Sequence, residues 1–373
     1  MIYVLFFLVA IALVLNRISK SYVLHDFSYS REIGKKTVEI DEEFEIATVA
    51  ENNKLLPITF LQIIEKLPQA LKYRFKAGVT ESGEYIFHKM AMMMLPYQRI
   101  KRVYKVFCSQ RGRFIFRDVT LIAGDMLGLN TTAEDREHLQ EVVALPEKAD
   151  LEEAIMPYGN CYGDISVRRW IIDDPILTVG IREYTGSEPF KTIHWPSSLK
   201  SGSLMVKKFD YTTDNTVMIA LNIESSKPFW SGMNVGKIEK CISIARGVVE
   251  HFEEAGIPYG LACDAHYDGF PGNENIGEAG FGKAHYSNTV ENLGRIGYSI
   301  AMPFEELLNS LMTSPMSFTT FVIITPAMLE EYIMPINRLR ERSMKTVVIS
   351  MDKNNLSCLS GDILTYIERG NSL

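Results

Sequence analysis

The sequence lacks most of the features that would announce a chemistry at once. Its five cysteines, Cys108, Cys161, Cys241, Cys263 and Cys358, are scattered and never form a CxxC pair. That argues against a disulfide framework and against a zinc site built on paired thiols. There is no excess of basic residues: the net charge is -7. A basic surface is the first requirement of a general nucleic-acid binder, so no nucleic acid is expected as a partner. No G-x-x-x-x-G-K-[ST] phosphate loop, no G-x-S-x-G elbow and no H-E-x-x-H helix occurs, which removes the motif-based routes to an enzyme. Internal repeats and low-complexity tracts are also missing.

What is present is ordinary globular composition over 373 residues, with 46% apolar and 23% charged side chains. A chain of this length is expected to hold two domains and an extra segment. The first feature is an apolar run, Ile2 to Leu15, without a charged side chain. It is shorter than the roughly 17–25 residues of an ordinary span. With its flanking residues and local bilayer thinning it reads as a transmembrane anchor over residues 1–20, meeting the lipid bilayer through residues 1–16. The rival is a cleaved signal peptide, which needs a basic residue before the run and a small-residue cleavage site after it. Neither is present. Arg17, Lys20, Arg31, Lys35 and Lys36 all follow the run. The positive-inside tendency then predicts a single-pass protein of the cell membrane with its soluble domains in the cytoplasm.

From residue 30 to 148 the pattern is mainly that of strands. Thr37 to Ile40 and Glu43 to Val49 alternate, as half-buried strands do. Tyr104 to Cys108 and Arg113 to Phe116 are further strands around the turn Gln110-Arg111-Gly112. An antiparallel β-sandwich is expected, with Leu61 to Tyr73 as a short helix or irregular connection. Residues 149–212 read as a connector rich in Pro, Gly and charge. From 213 to 373 the character changes. Val217–Leu221, Tyr259–Cys263, Phe321–Ile324 and Thr346–Ile349 are short continuous apolar runs, as expected of strands buried on both faces. Between them, Ile238, Cys241, Ile242, Ala245, Val248, Val249 and Phe252 repeat at helical spacing, with Gly256 as the cap. Pro303 to Met312, Met328 to Leu339 and Ile363 to Glu368 are read as further helices. Such alternation predicts a doubly wound α/β sheet.

One stretch is more specific. Arg182-Glu183-Tyr184-x-Gly186, then Ile193-His194-Trp195 and Leu204-Met205-Val206-Lys207, resembles the signature of the bacterial family catalogued as domain of unknown function fifty-eight. Met94-Leu95-Pro96-Tyr97, Gly124-Asp125-x-x-Gly128-Leu129 and Val143-x-x-Pro146 follow the order usual in that family. The resemblance implies membrane helices joined to a β-sandwich and a von Willebrand A-like domain. It also implies work with MoxR-type AAA+ ATPases and other membrane proteins, in the assembly or maturation of envelope-associated proteins, and brings no catalytic activity with it. The chain departs from the family pattern at Ser187, where an acidic residue is usual, and at Lys191, where Arg is.

A von Willebrand A-like domain often holds a divalent cation where its strands end, using carboxylates and hydroxyls. Here Asn222-Ile223-Glu224-Ser225-Ser226 stands in place of D-x-S-x-S, and Ile324-Thr325-Pro326 lacks the later Asp. No metal or other cofactor is therefore expected, with Mg²⁺ at this degenerate site as an alternative supported by Glu224 and Asp264. Asn222, Glu224, Ser226, Asp264 and Thr325 are expected instead to line a surface for a protein partner. Arg182, Glu183, Tyr184, Gly186, His194 and Trp195 are read as structural, with the Trp195 ring buried. The chain is thus expected to be a non-enzymatic, membrane-anchored scaffold. The remaining alternative is a hydrolase using His266, Asp268 and His285 in a glycine-rich stretch.

Overall fold

The computed structural model describes Tyr3, Phe7 and Asn16 and then residues 22–74, 78–83, 85–125, 130–158, 178–184, 193–209, 216–228, 232–269, 275–314 and 318–369. The chain forms two compact units, Met1–Glu147 with Glu291–Arg295, and Lys148–Val290 with Ile296–Leu373.

The first unit is a β-sandwich. Its strands are β1 (Phe27–Ile33), β2 (Thr37–Val38), β3 (Phe44–Asn52), β4 (Ile58–Pro68), β5 (Leu71–Tyr73), β6 (Val79–Ser82), β7 (Tyr85–Met94), β8 (Arg99–Cys108), β9 (Gly112–Phe116), β10 (Val119–Gly124), β11 (Thr131–Arg136) and β12 (Gln140–Ala144). One sheet has the order β1-β3-β8-β5 and the other β11-β10-β4-β7-β6, with β2-β12-β9 as a smaller third. The alternation that marked β3 in the sequence puts Phe44, Ile46 and Ala50 into the interior. Leu61 to Tyr73 is neither helix nor irregular connection. Most of it is β4, whose Leu61, Ile63 and Leu67 point into the core.

The second unit contains α1 (Leu151–Ala154), β13 (Ile155–Pro157), β14 (Thr178–Glu183), α2 (Trp195–Ser201), β15 (Met205–Phe209), β16 (Val217–Leu221), α3 (Val235–Ala255), β17 (Tyr259–Cys263) and β18 (Ala265–Tyr267). These are followed by α4 (Lys283–Arg295, whose last turn is counted with the first unit), β19 (Ile296–Ile300), α5 (Phe304–Thr313), β20 (Thr320–Thr325), α6 (Glu330–Arg342), β21 (Lys345–Ser350) and β22 (Leu364–Glu368). The main sheet has the order β13-β22-β21-β20-β16-β17. All its pairings are parallel except that of β13 with β22. Every residue of β16 and β17 is buried, which is why these strands appear in the sequence as unbroken apolar runs. The apolar face of α3 is the expected one. Asn234 caps its start by accepting from the Lys237 amide (3.1 Å), and Gly256 ends it in the left-handed conformation (φ 69°).

The expected combination of a transmembrane helix, an antiparallel sandwich and a doubly wound von Willebrand A-like domain is corrected by this structure. Among the described residues no helix is long and apolar enough to cross a membrane. The fourteen apolar residues of the N-terminal run would reach about 21 Å as a helix, short of a hydrocarbon core of about 30 Å. Apart from Tyr3, Phe7 and Asn16, the expected anchor lies outside the described residues. Sheets dominate the chain, with helices between some of their strands. Ile363 to Glu368, expected as a helix, supplies β22, so the connection from β21 carries only a 3-10 turn at Leu356–Cys358.

The glycine-rich stretch after Cys263 has a structural role. Residues 275–280 run antiparallel along β17, with Tyr259 and Gly280 exchanging backbone hydrogen bonds (2.9 and 3.1 Å) and the Gly277 amide donating to the Leu261 carbonyl (2.8 Å). The approach is close. A Cβ on Gly260 would stand 2.8 Å from the Gly277 carbonyl oxygen, so both strands of this pair depend on the missing side chain.

Candidate functional site

In the parallel sheet, β17 lies on one side of β16 and β20 on the other. Successive connections therefore diverge at β16, and the carboxyl ends of β16 and β20 form the kind of divergence point where open α/β sheets place ligands. The residues emerging there are Asn222, directly after β16, Asp264, directly after β17, and Thr325, the last residue of β20.

These side chains bond to one another and to the root of the loop that follows β16. Asn222 donates through Nδ2 to Thr325 Oγ1 (2.9 Å), bridging the divergence point. The Asn222 carbonyl oxygen Oδ1 accepts from the Glu224 amide (2.6 Å). Asp264 Oδ1 accepts from the Ile223 amide (2.9 Å). The Tyr332 hydroxyl of α6 donates to Glu224 Oε2 (2.6 Å). Thr325 in turn donates to the Ala327 carbonyl (2.6 Å). Further along the loop Ser225 donates to the Gly232 carbonyl (2.9 Å), and Lys227 pairs with Glu331 of α6.

Two carboxylates sit in this interior. Burial pushes the Asp264 carboxyl up to about 8, against the lowering effect of the Ile223 and Glu224 amides, and the Glu224 charge adds to the rise. Asp264 Oδ2 has no partner among the described residues. Burial and the bond to Glu224 together push the Tyr332 hydroxyl well above the ordinary phenol range, so it is a neutral donor at any physiological pH.

The structure gathers the residues expected to line a partner surface, but it buries most of them. Asn222, Asp264 and Thr325 have no exposed surface and Glu224 almost none. Only Ser226 is half-buried. They act from below, by fixing the backbone of the loop above them.

No group of three or more His, Cys, Asp or Glu among the described residues could hold a metal ion. One oxygen of each carboxylate is engaged, Asp264 Oδ1 by the Ile223 amide and Glu224 Oε2 by the Tyr332 hydroxyl. Millimolar Mg²⁺ is therefore expected to leave the melting temperature unchanged. A dose-dependent rise in a thermal scan, as ligand linkage requires of a site, would overturn this.

The alternative hydrolase reading rests on His266, Asp268 and His285. His266 is exposed on β18. His285 on α4 is committed through Nε2 to the Tyr259 carbonyl (2.8 Å) and packs against the Tyr259 ring. It clasps the start of β17, and Asp268 lies exposed in the turn after β18.

The described part of the signature stretch differs from expectation at Trp195. His194 caps α2, its Nδ1 accepting from the Ser197 amide (3.2 Å) with the Ser197 hydroxyl 2.8 Å away. The Trp195 ring is not buried: this residue is 60% exposed. It opens a two-turn helix in which Ser198 is the buried residue, so its ring faces outward. Glu183 and Tyr184 lie at the end of β14, with the Tyr184 amide donating to the Leu204 carbonyl (2.8 Å). The Arg182 side chain and Gly186 lie outside the described residues.

No family model matches the chain, and no curated protein does. Solved structures match about a third of it at low similarity. A cohesin module from a Clostridium perfringens family 33 glycoside hydrolase is 12% identical with a TM-score of 0.23, over 31% of this chain and 96% of that one. A non-cellulosomal cohesin from Archaeoglobus fulgidus is 11% identical with a TM-score of 0.21, over 30% and 90%. The full-length major pilin SpaD from Corynebacterium diphtheriae is 8% identical with a TM-score of 0.22, over 30% and 35%.

Proposed function

We propose that the chain is a non-enzymatic interaction protein, and that its second unit engages a partner through the loop that follows β16. The observation that carries this reading is the direction of the buried polar bonds. Asn222 Oδ1 and Asp264 Oδ1 accept from the Glu224 and Ile223 amides, and Tyr332 ties Glu224 down. A backbone segment held from below by buried polar groups, as residues 222–224 are here, is pre-organised, which reduces the ordering cost of binding. Ser225 and Ser226, both half-buried, and the exposed Lys227 follow directly on these anchored residues.

The partner we propose is a MoxR-type AAA+ ATPase, as the resemblance of the Arg182 to Lys207 stretch implies. The test is affinity capture of the tagged full chain with a candidate ATPase of that class, compared with the Ser226→Arg/Lys227→Glu variant. Contacts at the centre of an interface dominate affinity, so capture is expected to fall about tenfold or more, a loss of about 1.4 kcal/mol, with the fold retained by circular dichroism although reversal of Lys227 breaks its pair with Glu331. Equal capture by both chains would reject the loop as the contact. No ATPase recovered with either would reject the partner.

A further inference from the structure

The interior of the sandwich in the first unit is divided by one polar layer. Arg31 on β1 and Thr48 on β3 are direct cross-strand partners in one sheet. Glu65 on β4 and His88 on β7 are direct cross-strand partners in the other. All four are buried. The two pairs meet across the sandwich at Glu65. Its Oε1 accepts from Thr48 Oγ1 (2.9 Å), from the Tyr29 hydroxyl and from Arg31 Nε (3.5 Å), and His88 Nδ1 stands 3.6 Å from its Oε2. The rings of Tyr73 and Tyr104 pack against His88 at 5.0 and 4.5 Å.

One inward position, that is two residues, further along each strand in either direction, the interior is mainly apolar. On one side lie Ile33, Ile46, Leu67 and Ile86. On the other lie Tyr29, Ala50, Ile63 and Met90. The two flanking clusters are chemically alike, so apolar pattern alone does not distinguish the native register from one displaced by two residues. A displacement by one turns every side chain over and is excluded by pattern. A displacement by two preserves the inward face and is not.

From this placement we infer that the Arg31–Thr48–Glu65–His88 layer sets strand register in the sandwich, acting against the two-residue slip that the apolar layers permit. A slip of β1 on β3 moves Arg31 away from Thr48 and Glu65 and into an apolar layer, leaving both charges uncompensated. A slip of β7 on β4 separates His88 from Glu65 in the same way. Buried ionic groups of this kind add little to stability when compared with well-packed apolar replacements, and their best-attested role is to fix registry.

The test replaces the charged pair together with its histidine, as Arg31→Met/Glu65→Leu/His88→Leu in the full chain, and traps register with cysteines on the outer face of β1 and β3. Ser28 and Glu51 are native partners, so S28C/E51C reports the native register. S30C/E51C reports a slip by two. In the natural background only the first pair should cross-link. In the triple variant the fold should persist by circular dichroism, while the slipped cross-link rises from undetectable to about a tenth of the product, the upper range for a minor state. A triple variant that folds and cross-links only in the native register would overturn the inference. If the triple variant does not fold, Arg31→Met/Glu65→Leu carries the same comparison. Loss of folding in both would show that the layer contributes stability rather than register, which also overturns it.

Discussion

Glu65→Ala should destabilise the first unit by about 3–5 kcal/mol, the range for breaking a buried pair from one side. Three effects act in the same direction. Arg31, whose side chain has no exposed surface, loses the carboxylate that meets its charge. The Thr48 and Tyr29 hydroxyls lose their shared acceptor. The side chain removed also leaves space between two packed sheets, where relaxation is limited. The melting temperature should fall by on the order of 10 °C for a unit of this size. Denaturant unfolding of the variant beside the natural chain reads the difference directly. A loss smaller than about 1 kcal/mol, as for an exposed ion pair, would mean that Glu65 does not hold the charge of Arg31.

The same carboxyl sets an acid limit. Burial alone would raise the Glu65 carboxyl. The contact with His88, the charge of Arg31 and the hydroxyls of Tyr29 and Thr48 outweigh it and hold the group down to about 2. Its folded value is thus below its unfolded one. The stability it contributes is present above the unfolded value of about 4.3 and is lost as the pH falls towards 2.

The second large effect has the opposite sign. Asp264→Asn should stabilise the second unit at pH 8 and above by a few kcal/mol, of order 1.4 kcal/mol for each unit of raised pKa. The Asp264 carboxyl sits at about 8 in the folded chain and near 3.9 when unfolded. Between those values the folded state binds more protons than the unfolded one, so stability falls as the pH rises, and levels off above about 8. Asparagine keeps an oxygen for the Ile223 amide and carries no charge. Denaturant midpoints between pH 4 and 9 should slope downward for the natural chain and lie flat for the variant. Parallel profiles would show that Asp264 is not the group responsible.

Much of the second unit was legible because buried parallel strands have a simple signature. Val217–Leu221 and Tyr259–Cys263 coincide with β16 and β17, and the helix read from Ile238 to Phe252 lies within α3. The failures have physical causes. Ile363 to Glu368 is a short apolar run whose period fits a helix or a strand, and its pairing with β21 decided the outcome. In β4 the inward Glu65 interrupts the alternation. Leu61, Ile63, Ile64 and Leu67 then mimic helical spacing, although from Leu61 onward the strand alternates regularly. The charge that hid β4 in the sequence is the one that organises the sandwich interior. At the candidate site the residue types at 222, 224, 264 and 325 pointed to a shared location, and the structure gathers them. Nothing in their spacing reported that the cluster is sealed, because Tyr332 reaches it from α6, an element distant in sequence. Trp195 was expected inside on size alone. Its position at the first turn of a short helix put it outside.

The strip of chain at 275–280 has a bearing on association. It occupies the backbone donors and acceptors along the outer edge of β17, which would otherwise be a template for a strand from another molecule. The central sheet of the second unit is therefore closed to lateral growth on that side by its own polypeptide. The closure hangs on Gly260 and Gly277, where any side chain would lever the strip away. A destabilising change at either glycine would thus be felt first as self-association of the protein in concentrated solution, ahead of any loss of the fold itself.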